Sequence, residues 1–163
     1  MILVSVGSMM PFDRLIRGMD EWAGRHPETP VLMQIGNGKY EPVHGPFVRM
    51  MPVADYRARL KDCTLFVAHA GMGSIISAIE AGKPLVMLPR QQKLGEHNTD
   101  HQLATAATVG RREGLYVVPT VEELGARIDA LLVDTGAAPA PIAPFASEAL
   151  IGRVRAFIMG TET

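Results

Sequence analysis

The chain holds a single cysteine, Cys63, so no internal disulfide can form, and this usage fits a reducing compartment. As a small apolar residue ahead of a strand, Cys63 reads as core rather than as a reactive thiol. Neither sign of charge is in excess. The 16 basic and 17 acidic side chains leave a formal net charge of −1, which offers no electrostatic footprint for nucleic acid. No apolar run approaches the roughly 20 residues that cross a bilayer. The start, Met1-Ile-Leu-Val-Ser-Val-Gly7, lacks a basic n-region and meets a glycine too soon for a signal peptide. These absences predict a cytoplasmic chain, or one peripheral to a membrane. Three catalytic signatures are also missing. There is no H-E-x-x-H zinc motif, no G-x-S-x-G nucleophile elbow, and no G-x-G-x-x-G fingerprint with an acidic residue closing the second strand.

What is present is an ordinary globular composition, 47% hydrophobic and 20% charged over 163 residues, enough for one domain with a real core. Short apolar runs alternate with amphipathic stretches. Residues 2–6, 31–35, 47–50, 65–68, 85–88 and 116–118 read as six strands, the first nearly all apolar and so buried on both faces. Phe12, Leu15, Ile16, Met19 and Ala23 recur at helical spacing, and Pro27 and Pro30 end that helix. Pro52 opens a second helix. Thr99-Asp-His-Gln102 and Thr120-Val-Glu-Glu123 have capping-box form at two further helix starts. The pattern predicts an α/β fold, a Rossmann-like parallel sheet with helices on both faces and ligands beyond the carboxyl ends of the strands. Residues 1–133 form that domain, 134–144 a proline- and alanine-rich linker, and 145–163 an amphipathic helix and tail with Leu150, Val154, Phe157 and Ile158 on one face.

The densest signal is the run from Phe66 to Pro84: a buried strand, a glycine turn, then a helix stopping at Gly82. The turn carries His69, Gly71, Gly73 and Ser74. Small residues at a helix start expose backbone N–H groups and the positive end of the helix dipole, an arrangement suited to phosphate. His69 adds a donor, although a histidine at a strand end also serves as core. Ser74 caps the helix or reaches the anion. Gly7 and Ser8 follow the first strand and converge on the same edge. Glu96, His97, Asp100 and Gln102 lie in a stretch rich in hydrogen-bonding side chains. That stretch is either a solvated loop entering a helix or a surface for recognising sugar hydroxyls, in which case it governs ligand choice rather than folding. His97 and His101, four apart, leave a metal as a minor alternative.

At Val4-Ser-Val-Gly-Ser8, Pro11-Phe-Asp-Arg-Leu15, His69-Ala-Gly-Met-Gly-Ser74, Glu80-Ala-Gly-Lys-Pro84 and Gly95-Glu-His97 with Asp100-His-Gln102, the chain resembles the C-terminal domain of family 28 glycosyltransferases, the donor-binding half of the GT-B fold. The resemblance runs over roughly residues 1–132. It is nearest to the stand-alone small subunits of two-component UDP-sugar transferases, those of dolichol-linked N-acetylglucosamine transfer and of bacterial exopolysaccharide synthesis.

The resemblance implies a catalytic subunit of an inverting transferase, moving a sugar from a UDP-sugar to a lipid-linked acceptor. His69, Gly73 and Ser74 would hold the diphosphate, and Glu96, His97, Asp100 and Gln102 would meet the sugar. It implies no cofactor. It also implies a membrane-anchored, acceptor-binding partner that supplies the other half of the enzyme and its general base. Relatives usually carry a glutamate three residues after the Gly-Ser turn, on the ribose hydroxyls; here that residue is Ser77, with Glu80 one turn later. The departure keeps open an alternative, a nucleotide-sugar-binding regulatory or assembly protein without catalysis. An epimerase on the same scaffold would need both halves in one chain.

Overall fold

The structure, a computed structural model, describes residues 1–134, 137–143 and 145–160. Thr135, Gly136 and Pro144 of the expected linker, and the tail 161–163, lie outside the described residues. In chain order the elements are β1 (Ile2–Ser5), α1 (Asp13–Arg25), β2 (Val31–Gln34), β3 (Phe47–Val48), α2 (Val53–Asp62), β4 (Leu65–His69), α3 (Met72–Ala81), β5 (Leu85–Leu88), α4 (His101–Val109), β6 (Leu115–Val117), α5 (Val121–Val133) and α6 (Glu148–Met159).

The six strands form one parallel sheet in the order β3-β2-β1-β4-β5-β6. Successive strand residues point to opposite faces, so each apolar run feeds two cores. Ile2, Val4, Val67 and Val86 pack on one side with Leu15, Met19 and Trp22 of α1 and Leu124 and Ile128 of α5. Leu3, Phe66 and Met87 pack on the other with Leu60 of α2, Ile75 and Ala78 of α3 and Ala106 of α4. Trp22 is buried, and its Nε1 donates to Asp129 Oδ1 at 2.8 Å, tying α1 to α5. Cys63 is buried as well; burial pushes its thiol pKa up, which suits core rather than reactivity.

The glycine- and proline-containing loop after β2 is anchored by one buried carboxylate. Asp20 accepts from the Tyr40 hydroxyl (2.7 Å) and from the N–H groups of Val43 (3.0 Å) and His44 (2.8 Å). Burial alone would raise its pKa, but the Val43 N–H, the Tyr40 hydroxyl and His44 together hold it below the ordinary value.

Two local expectations need correction. Thr99 does not cap a helix. Helix α4 begins at His101 with Asp100 before it and no side-chain cap. The Thr99 hydroxyl is instead bonded to His101 Nδ1 at 2.6 Å, and the Gln102 amide is turned inward. Nor does Ser74 cap α3: the residue ahead of that helix is Gly71, and no side chain bonds its first turn. The box at Thr120 does form, its hydroxyl accepting from the Glu123 N–H at 3.2 Å.

Beyond α5 the chain is strapped back to the sheet. Arg112 Nη2 donates to the Ala140 carbonyl at 2.7 Å, and Pro139 is buried against Gly114. Helix α6 starts at Glu148, three residues later than its apolar periodicity predicts, because Ser147 accepts from the Leu150 N–H and so sets the start. None of its residues is buried, and Leu150, Val154, Phe157 and Ile158 are all exposed. No helix among the described residues is long and apolar enough to cross a membrane.

Candidate functional site

Strands β1 and β4 lie side by side at the point where the strand order turns back, with Ser5 paired to Ala68. The loop leaving β1 and the turn leaving β4 part there, and a cleft of about 640 Å³ opens at the carboxyl edge of the sheet. Gly7, Ser8, His69, Gly71, Gly73, Ser74, Ser77, His97 and Gln102 all line it.

His69 sits between two glycines. A Cβ on Gly71 would stand 2.3 Å from its Nε2, and a Cβ on Gly7 2.8 Å from its Cε1. Gly7 also has φ +77°, so a side chain there would be strained as well as crowded. Burial lowers the pKa of His69 to about 4. The nearby Arg90 guanidinium adds to that, Ser5 backbone opposes it, and His97 adds a smaller push downward. The imidazole is therefore neutral at pH 7. Its Nδ1 is buried with no hydrogen-bond partner of ordinary geometry.

Gly73 differs from its neighbours. A Cβ built on it meets nothing within 4 Å, so no protein group demands a glycine there. It lies in the first turn of α3, which no side chain caps, so the early N–H groups and the dipole of this helix face the cleft. Ser74, buried, and Ser77 line the same wall; Ser77 lies in hydrogen-bonding reach of Tyr56. Glu80 is exposed and does not line the cleft.

The β1 side of the cleft is held by a chain of bonds that local sequence does not reveal. Ser5 Oγ donates to Gln34 Oε1 (2.7 Å) and accepts from the Gly7 N–H (3.2 Å), while Gln34 Nε2 donates to the Gly7 carbonyl (3.0 Å). Gln34 ends β2, so two neighbouring strands, β1 and β2, hold the one glycine by hydrogen bonds.

The polar segment after β5 divides. His97 and Gln102 line the cleft; Glu96 and Asp100 do not. Glu96 takes a two-pronged contact from Arg14, Nε to Oε1 at 2.6 Å and Nη2 to Oε2 at 2.8 Å, and also accepts from the Gln91 N–H at 2.9 Å. Asp100 Oδ1 accepts from the Gln92 N–H at 2.7 Å, closing the single 3-10 turn at Gln92–Leu94. The rings of His97 and His101 meet edge to face, centroids 4.4 Å apart. Among the described residues no three histidine, cysteine or acidic side chains cluster in a way that holds a metal.

Arg90 is the residue that motif reading passed over. It lines the cleft, is buried, and its guanidinium donates to residues 84 and 80 positions away. The available signal was its place two residues beyond a buried strand, at the carboxyl edge.

Residues 1–141 match the glycosyltransferase family 28 C-terminal domain. Over 109 residues the chain is 37% identical to a UDP-N-acetylglucosamine–N-acetylmuramyl-(pentapeptide) pyrophosphoryl-undecaprenol N-acetylglucosamine transferase of Rhodospirillum centenum. That match takes in 64% of this chain and 25% of the relative, so the chain spans about a quarter of that protein's length. Among solved structures, the glycotransferase of kitacinnamycin superposes with a TM-score of 0.59 at 21% identity, over 82% of this chain and 35% of that one. MurG of Acinetobacter baumannii superposes with a TM-score of 0.54 at 19% identity, over 80% and 40%. The architecture is that of the C-terminal half of GT-B glycosyltransferases.

Proposed function

The chain belongs to the glycosyltransferase family 28 C-terminal domain family, and on that footing we propose that it is the donor-binding, catalytic subunit of an inverting, UDP-sugar-dependent glycosyltransferase. The observation that carries the reading is the uncapped start of α3, with Gly73 open to a cleft whose floor holds neutral His69 and charged Arg90. A diphosphate fits that combination. It would accept N–H groups at the helix start, approach the backbone at Gly73 where no side chain intervenes, and take a further hydrogen bond from His69. The name of the Rhodospirillum centenum relative supports uridine as the nucleoside and a lipid-linked acceptor.

In the transfer itself, an acceptor hydroxyl oxygen attacks the anomeric carbon as its bond to the diphosphate oxygen breaks. The bonding electrons leave with the diphosphate, and the hydroxyl proton passes to a base. This chain's part is to hold the departing anion: helix N–H groups, dipole and His69 N–H are fixed before the charge develops, which is where such donors act most strongly. The positive charge comes from Arg90 rather than from His69. His97 and Gln102 would meet the sugar, with Ser77 toward the ribose.

Acceptor binding and the base would belong to a separate, membrane-anchored partner, placing this chain in the cytoplasm at the membrane face. The exposed apolar face of α6 supports a docked partner, and 134–144 would act as the linker to it. Titration of UDP against wild type and His69→Ala tests the donor site: a marked loss in the variant is expected, and equal affinity would remove His69 from it.

A second reading, nucleotide-sugar binding without transfer, draws support from Ser77, at the position where the family resemblance implies a glutamate. Donor turnover in the presence of the partner separates the two.

A further inference from the structure

Arg90 is 3% exposed, yet it stays charged: burial lowers its pKa to about 10, and Glu96 acts in the opposite direction. Its Nη2 donates to the carbonyls of Val6 at 2.8 Å and Met10 at 2.5 Å. Those two carbonyls bracket the loop that carries Gly7 and Ser8. Its own N–H donates to Gln102 Oε1 at 3.2 Å, so the β1 loop and the start of α4 are both tied to this one residue. The guanidinium also lies over the Phe12 ring, 5.1 Å from the centroid. Among the described residues two buried side-chain nitrogens lack a hydrogen bond of ordinary geometry, Arg90 Nε and His69 Nδ1, and both residues line the cleft. Leaving buried polar groups unmade is costly, so their meeting in one cleft calls for a role.

We propose that Arg90 is the positioning residue of the site: its guanidinium clamps the β1 loop at Val6 and Met10, keeping Gly7 against His69, and holds a fixed positive charge beside the bound anion. The identity of that anion as a diphosphate rests on the function proposed above; the clamp does not. Both bonds leave the one nitrogen Nη2, at the far end of a planar guanidinium lying over Phe12; a lysine ammonium keeps the charge but lacks that plane and that reach. The charged or titratable groups facing Arg90 are His69, Glu96 and His97; those facing His69 are Arg90 and His97.

Arg90→Lys and Arg90→Met in the full chain separate the two parts. Three quantities are read: amide exchange of residues 6–10 without ligand, the NMR titration of His69, and affinity for UDP and for inorganic pyrophosphate. Arg90→Lys is expected to speed exchange in the loop and weaken UDP about tenfold, roughly one charge-assisted hydrogen bond, while His69 still titrates low. Arg90→Met is expected to weaken both anions about a hundredfold and to move the His69 titration upward, since a nearby positive charge is gone. Unchanged loop exchange in Arg90→Lys overturns the clamp, and this holds even if Arg90→Met fails to fold. Equal anion affinity in Arg90→Met and wild type overturns the electrostatic part. If wild type binds neither anion, the proposed function falls, while loop exchange and the His69 titration still decide the clamp.

Discussion

A histidine that is neutral in the folded chain makes a definite demand on pH. His69 titrates near 4 in place, against about 6.5 when unfolded. Between those values the unfolded state binds the proton and the folded state does not, so acid favours unfolding. Stability from this group is complete above about pH 6.5 and is lost as pH falls toward 4, by roughly 3 kcal/mol from linkage. Urea unfolding at pH 7 and pH 4.5, on wild type and His69→Asn, measures it; the variant is expected to show the shallower decline. The glycines around His69 are expected to part company as well. Gly71→Ala drives a methyl into the imidazole and should cost about 1–3 kcal/mol. Gly73→Ala places its methyl in open space. Stability is then expected to change by no more than about 0.5 kcal/mol while UDP affinity falls at least about tenfold. Thermal melts paired with UDP titration check both, and a stable Gly73→Ala that binds UDP normally would remove that turn from the anion site.

At the scale of elements, strands and amphipathic helices were legible in sequence because their signals are local. An apolar run buried on both faces, such as Ile2–Ser5 or Leu85–Leu88, announces itself without reference to anything distant. The glycine turn between β4 and α3 was equally readable. What local reading missed was decided by side chains reaching across the fold. The Thr99 box failed because His101 took its hydroxyl, and Gln102 was drawn to Arg90. Glu96 looks like a free loop carboxylate until Arg14, 82 residues away, is placed against it. A substitution at Glu96 is therefore expected to disturb folding, contrary to the reading of that segment as a recognition surface alone. Glu96→Ala should cost about 1–2 kcal/mol, since a partly buried two-pronged contact and the bond from the Gln91 N–H are both lost. Chemical denaturation gives the value, and a cost near zero would restore the recognition reading. Deleting 145–163 should do the reverse: with no residue of α6 buried, stability and UDP affinity are expected to hold while co-purification of a partner is lost.

For the whole molecule, the strand order has consequences beyond the placing of the cleft. The proposed division of labour predicts donor binding by this chain alone but little transfer until the acceptor-binding partner is added. Robust transfer by the isolated chain would contradict it, and a radiolabelled-donor assay with and without the partner reads the difference. The same order bears on how the chain is made. β1 lies between β2 and β4, and its partner on the second side arrives only after a gap of 63 residues, the separation of Met1 and Thr64. At about 5–20 residues per second on the ribosome, one whole edge of β1, one of the two central strands, waits roughly 3–13 s for its neighbour. During that interval the emerging chain carries an apolar strand with unpaired backbone, a template for the wrong partner. The waiting strand ends two residues before Gly7, so the stretch that shapes the cleft is also one that the newborn chain leaves unpaired longest on one side.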